Sequence, residues 1–424
     1  MKKRYFPLLL IFALCMYGCA VQQTDSPAKT PAPDTDICEN VTEESISTEA
    51  EGSVSPDGNA YGITVTEQTD SSSYFATDDP SACVLTASAV YPYISITGKT
   101  DASQKINDAI RQELDTFLVF EKENAAYAEE SRKFAIENEG KEPDPYTAEF
   151  TYQLKRCDDR IISVIFSQSD YTGGAHGNYW SYGITFDTAT GMRLYLGSLC
   201  ESSEAFLKML SDELSAQAAL PAYERYIDKN IAVDLEEAFL KNSTCWYLDR
   251  SGLSFISNPY VLGAYAAGTF EFNIPYKELN GLKEGYAYKG GYIRKVFPGI
   301  SVQYDINSNG TTDEICYYVA TDEDFSNPHP VLTVNGTDFS GEFDKLYMTG
   351  PLSDAYYLID VDPDDPYIEI AVTNQNEKNP DGTCTHFFRY TSEKKLLYQG
   401  KVPGVFDESM QVRYNANGNL VLSL

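Results

Sequence analysis

Apolar positions change their spacing several times along the chain, and each change predicts an element. Val84-Leu85-Thr86-Ala87-Ser88-Ala89-Val90-Tyr91-Pro92-Tyr93-Ile94-Ser95-Ile96 has the β-branched and aromatic content of a strand. Asp101 then stands as a helix N-cap ahead of Ile106, Ile110, Leu114 and Phe117 or Leu118, which share one helical face. Polar sequence from there to Asp144-Pro145 predicts a helix that frays into a loop. Strands are expected from Tyr146 to Leu154 and from Arg160 to Ser167. A second helix is expected from Ser203 to Gln217, carrying Phe206, Leu207, Leu210 and Leu214, and another from Val233 to Leu240. Strands return at Cys245–Leu248, Leu253–Ile256 and Thr269–Pro275. Helices set among antiparallel strands make an α+β pattern.

After Gly285 the pattern changes. Short Tyr- and Val-rich runs alternate with Asp, Asn, Gly and Pro turns, and no helical spacing stands out. Residues 286–424 are therefore expected to form a separate all-β domain, of ordinary domain size at about 135 residues.

The N-terminus carries a different signal. Met1-Lys2-Lys3-Arg4 is a charged start, followed by an apolar run from Tyr5 to Tyr17 and then Gly18-Cys19. The run is shorter than the ~20 residues that span a bilayer, and the layout is that of an exported precursor. A small residue before a cysteine at the close of such a run resembles a bacterial lipobox, although Met16 and Tyr17 stand where Leu and a small residue are usual. The resemblance implies cleavage after residue 18 and a lipid on Cys19, so that the mature chain hangs on the outer face of the cell membrane, as a palmitoylated lipoprotein would. The alternative is an ordinary signal peptide cleaved elsewhere. Residues 19–82, rich in Ser, Thr, Pro, Asp and Glu with Lys29 as the only base, are expected to be a disordered acidic tether. The remaining boundaries expected are 83–159 for a small α+β subdomain and 160–285 for a larger one.

Composition narrows the function classes. With 32 basic and 63 acidic side chains the formal charge is −31, and loss of the leader makes it more negative still. Such a chain has nothing with which to replace counterions along a phosphate backbone, so nucleic acid is excluded as a partner. Three histidines leave little room for a histidine-rich metal centre. The nine cysteines show no CxxC pair and no zinc-type spacing. Cys200–Cys245 is one conceivable bridge in a compartment that permits disulfides.

Three segments carry a family resemblance. The first is Tyr171-Thr172-Gly173-Gly174-Ala175-His176-Gly177-Asn178, followed by Ile184–Gly191 and Leu194-Tyr195-Leu196. The second is Trp246-Tyr247-Leu248 leading to Gly252-Leu253-Ser254-Phe255. The third is Asn258-Pro259-Tyr260, Gly263, Tyr265-Ala266-Ala267-Gly268 and Ile274–Leu279. Together they resemble the extracellular domain shared by RsiV-type anti-sigma factors and PdaC-type peptidoglycan deacetylases, over about residues 84–282. The resemblance implies a surface-exposed binding or sensing module; in RsiV-like proteins this domain senses lysozyme. No deacetylase domain and no sigma-binding segment stand in the sequence, so neither of those activities is expected.

Gly173-Gly174 and Gly177 permit backbone shapes closed to other residues, which predicts a tight turn or bulge there. His176 reads as a structural or partner-contacting residue, since nothing in the sequence places a nucleophile or an orienting carboxylate beside it. His176, Asn178, Tyr179, Asn258, Pro259, Tyr260 and Tyr265 form the candidate partner-binding set. Core packing of the loop is the alternative.

Two acidic loops stand in the C-terminal region. Asp305, Asn307, Asn309, Thr311 and Asp313 alternate in a loop with Gly310 at its sixth position, a spacing that can wrap calcium. Position 12 is Cys316 where an EF-hand has Glu, and the loop more closely resembles those between strands of FG-GAP or propeller-type repeats. The alternative is an Asn309-Gly310 hairpin turn with solvated acids. Asp360, Asp362, Asp364 and Glu369 repeat the plan without the glycine. Calcium is thus the one cofactor the sequence raises; no organic cofactor is expected.

The leading expectation is a non-enzymatic lipoprotein of the bacterial cell envelope that binds lysozyme, or another envelope protein or glycan, and touches the membrane only through its lipid. The alternative is a peptidoglycan-associated accessory module. A wall hydrolase using two carboxylates is the least favoured class.

Overall fold

The computed structural model describes residues 42–49 and 61–423, apart from 221–222, 225, 228–234, 236–238, 241–243, 289–291, 321–328, 347–355, 363–364, 376–381, 407–410 and 416. Cys19 with the residues before it, and most of the helix expected from Val233, lie outside these residues.

The first layer is a six-stranded sheet in sequential order: β1 (Thr42–Glu49), β2 (Ile63–Phe75), β3 (Cys83–Ile96), β4 (Tyr146–Cys157), β5 (Ile161–Tyr171) and β6 (Asn178–Asp187). All neighbours are antiparallel except β3 and β4, which run parallel because helix α1 (Thr100–Glu139) connects them. Ile106, Ile110, Leu114 and Phe117 of α1 join Ile63, Val65, Ile94, Phe150 and Phe166 of the sheet in one core.

Several expectations are corrected here. Within the expected tether of 19–82, residues 42–49 and 61–82 are ordered: β1 pairs with the second half of β2, and β2 pairs with β3 along its whole length, burying Ile63, Val65 and Tyr74. The backbone ladder supplies the order that its polar centre, Thr66–Ser73, does not advertise. Helix α1 does not fray after its apolar turns but runs 40 residues to Glu139, closed by Gly140 in the left-handed conformation at φ 64°. Its N-cap is Lys99, so Asp101 lies in the first turn, where a carboxylate suits the helix dipole. The far half of α1 is held by polar contacts: Tyr74 donates to Glu121 at 2.6 Å, Thr77 to Glu129 at 2.8 Å, and Arg132 pairs with Asp78 at 2.7 Å and with Glu142. The boundary expected at 159/160 falls inside the β4–β5 hairpin, so one sheet serves both expected subdomains.

Helix α2 (Ser203–Ala218) lays Phe206, Leu210 and Leu214 against a three-stranded antiparallel sheet of β7 (Trp246–Leu248), β8 (Gly252–Ser257) and β9 (Phe270–Pro275). This sheet abuts β6 at Gly183, whose N–H donates to the Thr244 carbonyl at 2.7 Å. A Cβ on Gly183 would stand 2.2 Å from the Trp246 carbonyl oxygen, so only glycine allows the approach. Cys200 and Cys245 do not bridge; each thiol is turned to a backbone carbonyl of its own segment, Gly197 and Phe239.

The C-terminal region is the separate all-β unit expected. β10 (Tyr292–Val296) opens a five-stranded sheet, and β11 (Val302–Tyr304), β12 (Asp313–Ala320), β13 (His329–Val334) and β14 (Thr337–Asp338) form a four-stranded one. A five-residue helix, α3 (Ser340–Asp344), interrupts the strands and contributes Phe343 to the core. β15 (Tyr356–Ile359), β16 (Glu369–Gln375), β17 (Thr383–Tyr390) and β18 (Leu396–Pro403) complete the larger sheet, and β19 (Gln411–Tyr414) pairs with β20 (Leu420–Ser423). Alternation along β15 divides two cores: Tyr356 and Leu358 join Ile315, Tyr317 and Leu332 of the smaller sheet, while Tyr357 and Ile359 join Phe406 and Leu420. No helix among the described residues is long and apolar enough to cross a membrane.

Candidate functional site

The partner-binding set converges where the β5–β6 hairpin meets the segment after β8. The hairpin loop turns through Gly173 and Gly174, at φ 82° and 104°, as the sequence requires. Tyr171, at the end of β5, donates its hydroxyl to the Gly174 carbonyl at 3.0 Å and closes the loop on itself. Asn258 then stitches the second segment to β6: its amide accepts from the Ser181 N–H at 2.7 Å and donates to the Ser181 carbonyl at 2.8 Å. That pairing imitates a strand neighbour.

Tyr265 is the hub of the surface so formed. Its ring stacks on His176 with centroids 3.9 Å apart and planes 16° from parallel, and Tyr179 and Tyr260 stand at 5.9 Å and 5.6 Å. The Tyr265 hydroxyl donates to the Gly177 carbonyl at 2.7 Å, locking the two loops together. Partial desolvation, followed by the neighbouring Tyr179, Tyr260 and Asp170, pushes that hydroxyl above the usual tyrosine range. Tyr260 is 57% exposed and Tyr179 38%, so ring faces and edges meet solvent over a continuous patch. Tyr260 also sits at φ 69°, a left-handed conformation costing on the order of 1 kcal/mol for a residue with a Cβ. Such strain is held by its surroundings, here the buried Pro259 before it and the ring contact with Tyr265.

His176 hydrogen-bonds through Nδ1 to the Gly177 carbonyl at 2.9 Å, which assigns the proton to Nδ1 and orients the ring by backbone. Asp170 lies at the foot of the patch. It is buried, accepts from Asn178 at 3.2 Å, and its carboxyl is pushed above the usual range by desolvation, with the Asn178 hydrogen bond partly opposing.

The expected set thus divides in two. His176, Asn178, Tyr179 and Tyr260 are exposed, with Tyr265 half-buried between them, whereas Asn258 and Pro259 lie beneath and position the rings. Tyr171 belongs to the same surface and was not in the expected set, although it opens the Tyr-Thr-Gly-Gly run that drew attention to the loop.

The two acidic loops also part company. Asp305, Asn307, Asn309 and Thr311 occupy the β11–β12 connection and Asp313 opens β12; the Asp305 carboxylate accepts from the N–H groups of Asn309 and Gly310 at 3.0 and 2.8 Å. In the second loop, Asp364 lies outside the described residues. Glu369 does not join Asp360 and Asp362 as a calcium ligand. It is buried against the Arg389 guanidinium, which also reaches Asp365 at 2.7 Å. That loop already has a cation, supplied by β17.

Comparison with known proteins finds two partial family matches. Residues 81–179 match the family described as deacetylase PdaC, and residues 201–277 match DUF3298, described as a protein of unknown function. A DUF3298 family protein from Bacteroides fragilis is similar at 16% identity with a TM-score of 0.36, over 58% of this chain and 96% of that one. Another, from Pseudomonas aeruginosa, is similar at 17% identity with a TM-score of 0.34, over 59% of this chain and 99% of that one. No curated protein matches the chain.

Proposed function

We propose, for a chain that matches the PdaC family over residues 81–179 and DUF3298 over residues 201–277, a non-catalytic binding module of the bacterial cell envelope whose contact surface is the Tyr265 aromatic patch. The observation that carries this reading is the exposure of His176, Tyr179 and Tyr260 around one half-buried hub. Rigid tyrosines bury large area on binding while losing little conformational freedom, and they recur as binding hot spots. Backbone hydrogen bonds to Gly177 hold both His176 and Tyr265, so the surface is preorganised before any partner arrives. The same bond gives His176 a carbonyl where a general base would need a carboxylate, which favours contact over catalysis.

Lysozyme is the partner proposed, from the family resemblance and from charge: a chain at −31 attracts a cationic protein over long range. Anchoring through Cys19 would hold the patch outside the membrane.

The test is isothermal titration of a soluble form beginning after Cys19 with c-type lysozyme, at about 150 mM salt so that loose charge attraction is damped. Saturable one-to-one binding is expected. Tyr260→Gly should weaken it by about 30-fold, in the range of a hot-spot residue. Glycine at this position relieves the φ 69° strain, so the backbone can keep its course without the ring, and an unchanged Tm separates a loss of binding from misfolding. Absence of heat would remove lysozyme as the ligand and leave wall glycan, tested by co-sedimentation with purified peptidoglycan. Binding that ignores Tyr260→Gly would remove the patch.

A further inference from the structure

The β11–β12 loop contains polar groups that the aromatic patch does not use and that the fold does not satisfy. Ser308 and Gly310, at φ 50° and 83°, curl its backbone around the Asp305 carboxylate. Asn307 and Asp313 are buried, at 6% and 4% exposure. The Asn307 amide faces Asp313, donating from Nδ2 to Oδ2 at 3.3 Å, and Asn335 donates to the other carboxylate oxygen at 2.8 Å. Asn307 Oδ1 is buried with no hydrogen-bond partner. Neither Asp305 nor Asp313 forms an ion pair among the described residues, in contrast to Glu369 in the second loop.

A buried carbonyl oxygen without a donor and a buried carboxylate held only by neutral amides both call for an explanation. A cation between them supplies one. Half a turn of the Asn307 amide exchanges Nδ2 and Oδ1 and brings two oxygens, one from each residue, to the same point. Two oxygens repel there unless a positive charge lies between them. The donors on offer are all oxygen, drawn from carboxylates, amides and backbone carbonyls on a pliable loop. That chemistry suits calcium better than zinc, whose structural sites are built on Cys and His, or magnesium, which demands near-ideal octahedral geometry.

We propose that the loop from Asp305 to Asp313 binds one calcium ion. Asp305, Asn307 and Asp313 anchor it, with Asn309 and the Thr311 carbonyl completing the shell. With two carboxylates and no glutamate at position 12, the affinity is that of an extracellular module, about 10⁻⁴–10⁻³ M. The ion acts on more than the loop. The Ile306 carbonyl accepts from the Ile368 N–H at 3.0 Å, and Ile306 is itself in the core shared by both C-terminal sheets. Fixing the loop therefore fixes the four-stranded sheet against the approach to β16.

The experiment is calorimetric titration of the soluble full chain, stripped with EGTA, with calcium chloride at about 150 mM salt, beside thermal unfolding with and without 5 mM calcium. One saturable site and a raised Tm are expected. Asp305→Asn, a change at a half-exposed position, should weaken binding at least tenfold and cancel the Tm rise, and the isosteric Asp313→Asn should do the same. Asp360→Asn, in the neighbouring acidic loop, should leave both intact. No heat and no Tm change at 5 mM calcium would overturn the site. So would binding that survives both loop variants, or that is lost only in Asp360→Asn.

Discussion

The N-terminal sheet and the five-stranded C-terminal sheet solve the same problem with different materials. Along β15 of the C-terminal sheet, side chains alternate: Tyr356 and Leu358 go to one core and Tyr357 and Ile359 to the other, so the strand's apolar pattern is its own evidence. In the N-terminal layer the covering element is a single helix of 40 residues whose first half is apolar and whose second half buries Glu121, Asn124, Glu129 and Arg132. There the partners are Tyr74, Thr77 and Asp78, some fifty residues earlier in the chain. One sheet is stabilised by area removed from water, the other in part by polar pairs that are useful only when both members are in place.

Removing apolar area from the C-terminal sheet should give the largest effect. Leu358 is fully buried, and Leu358→Ala should cost about 2–5 kcal/mol, as cavity-forming core substitutions do. Urea unfolding followed by hydrogen exchange would show whether the loss stays in β10–β18. Protection of α1 that falls by the same amount would mean that the two regions unfold as one, and the contrast would be energetic only on paper.

Acid should separate the regions next. Burial, aided by the nearby Lys401 charge, pushes the His386 imidazole on β17 down to about 4. An unfolded histidine titrates near 6.5, so between the two values the unfolded chain binds the extra proton and the native chain does not. Stability from this residue is thus fully present above pH ~6.5 and is lost as the pH falls through about 4, by about 3 kcal/mol in all. Tyr398, 3.3 Å from Nδ1, is the polar neighbour that the charged ring would disturb. A pH series of urea midpoints should show this acid limb in the native chain and not in His386→Gln. An identical limb in both would assign the loss to another group.

How much of this was legible follows the same division. The strands at 84–96, 146–157 and 246–275, helix α2 and the all-β C-terminal unit were readable because apolar spacing is local information. The convergence of His176 with Tyr260 and Tyr265 was readable only as a resemblance, since about 80 residues separate the two loops. β2 and the far half of α1 were misread together, one as tether and the other as fraying helix. They meet at Tyr74 and at Thr77 and Asp78 in the turn after β2, and neither carries enough apolar residues to announce itself. Alone, Thr66–Ser73 and Glu121–Glu139 both have the composition of solvated sequence. A similar blindness applied to Glu369, whose partner Arg389 lies 20 residues away across a ladder that spacing does not show.

The contact between β2 and the far half of α1 gives the last and smallest prediction. Tyr74 and Glu121 are both about 99% buried, and the hydroxyl donates to the carboxylate at 2.6 Å. Tyr74→Phe keeps the ring, and with it the packing of β2, and removes only the donor. The cost expected is about 1–3 kcal/mol, the penalty for removing a donor from a buried carboxylate. Where the loss appears matters more than its size. If the far half of α1 depends on contacts with β2 and the turn after it, hydrogen exchange should quicken from Glu121 to Glu139 while Ile106–Phe117, held by the apolar core, stays protected. Uniform quickening along all of α1 would show that the helix stands or falls as one unit. Its polar half would then be carried by the apolar half, and the contrast between the two sheets would reduce to composition.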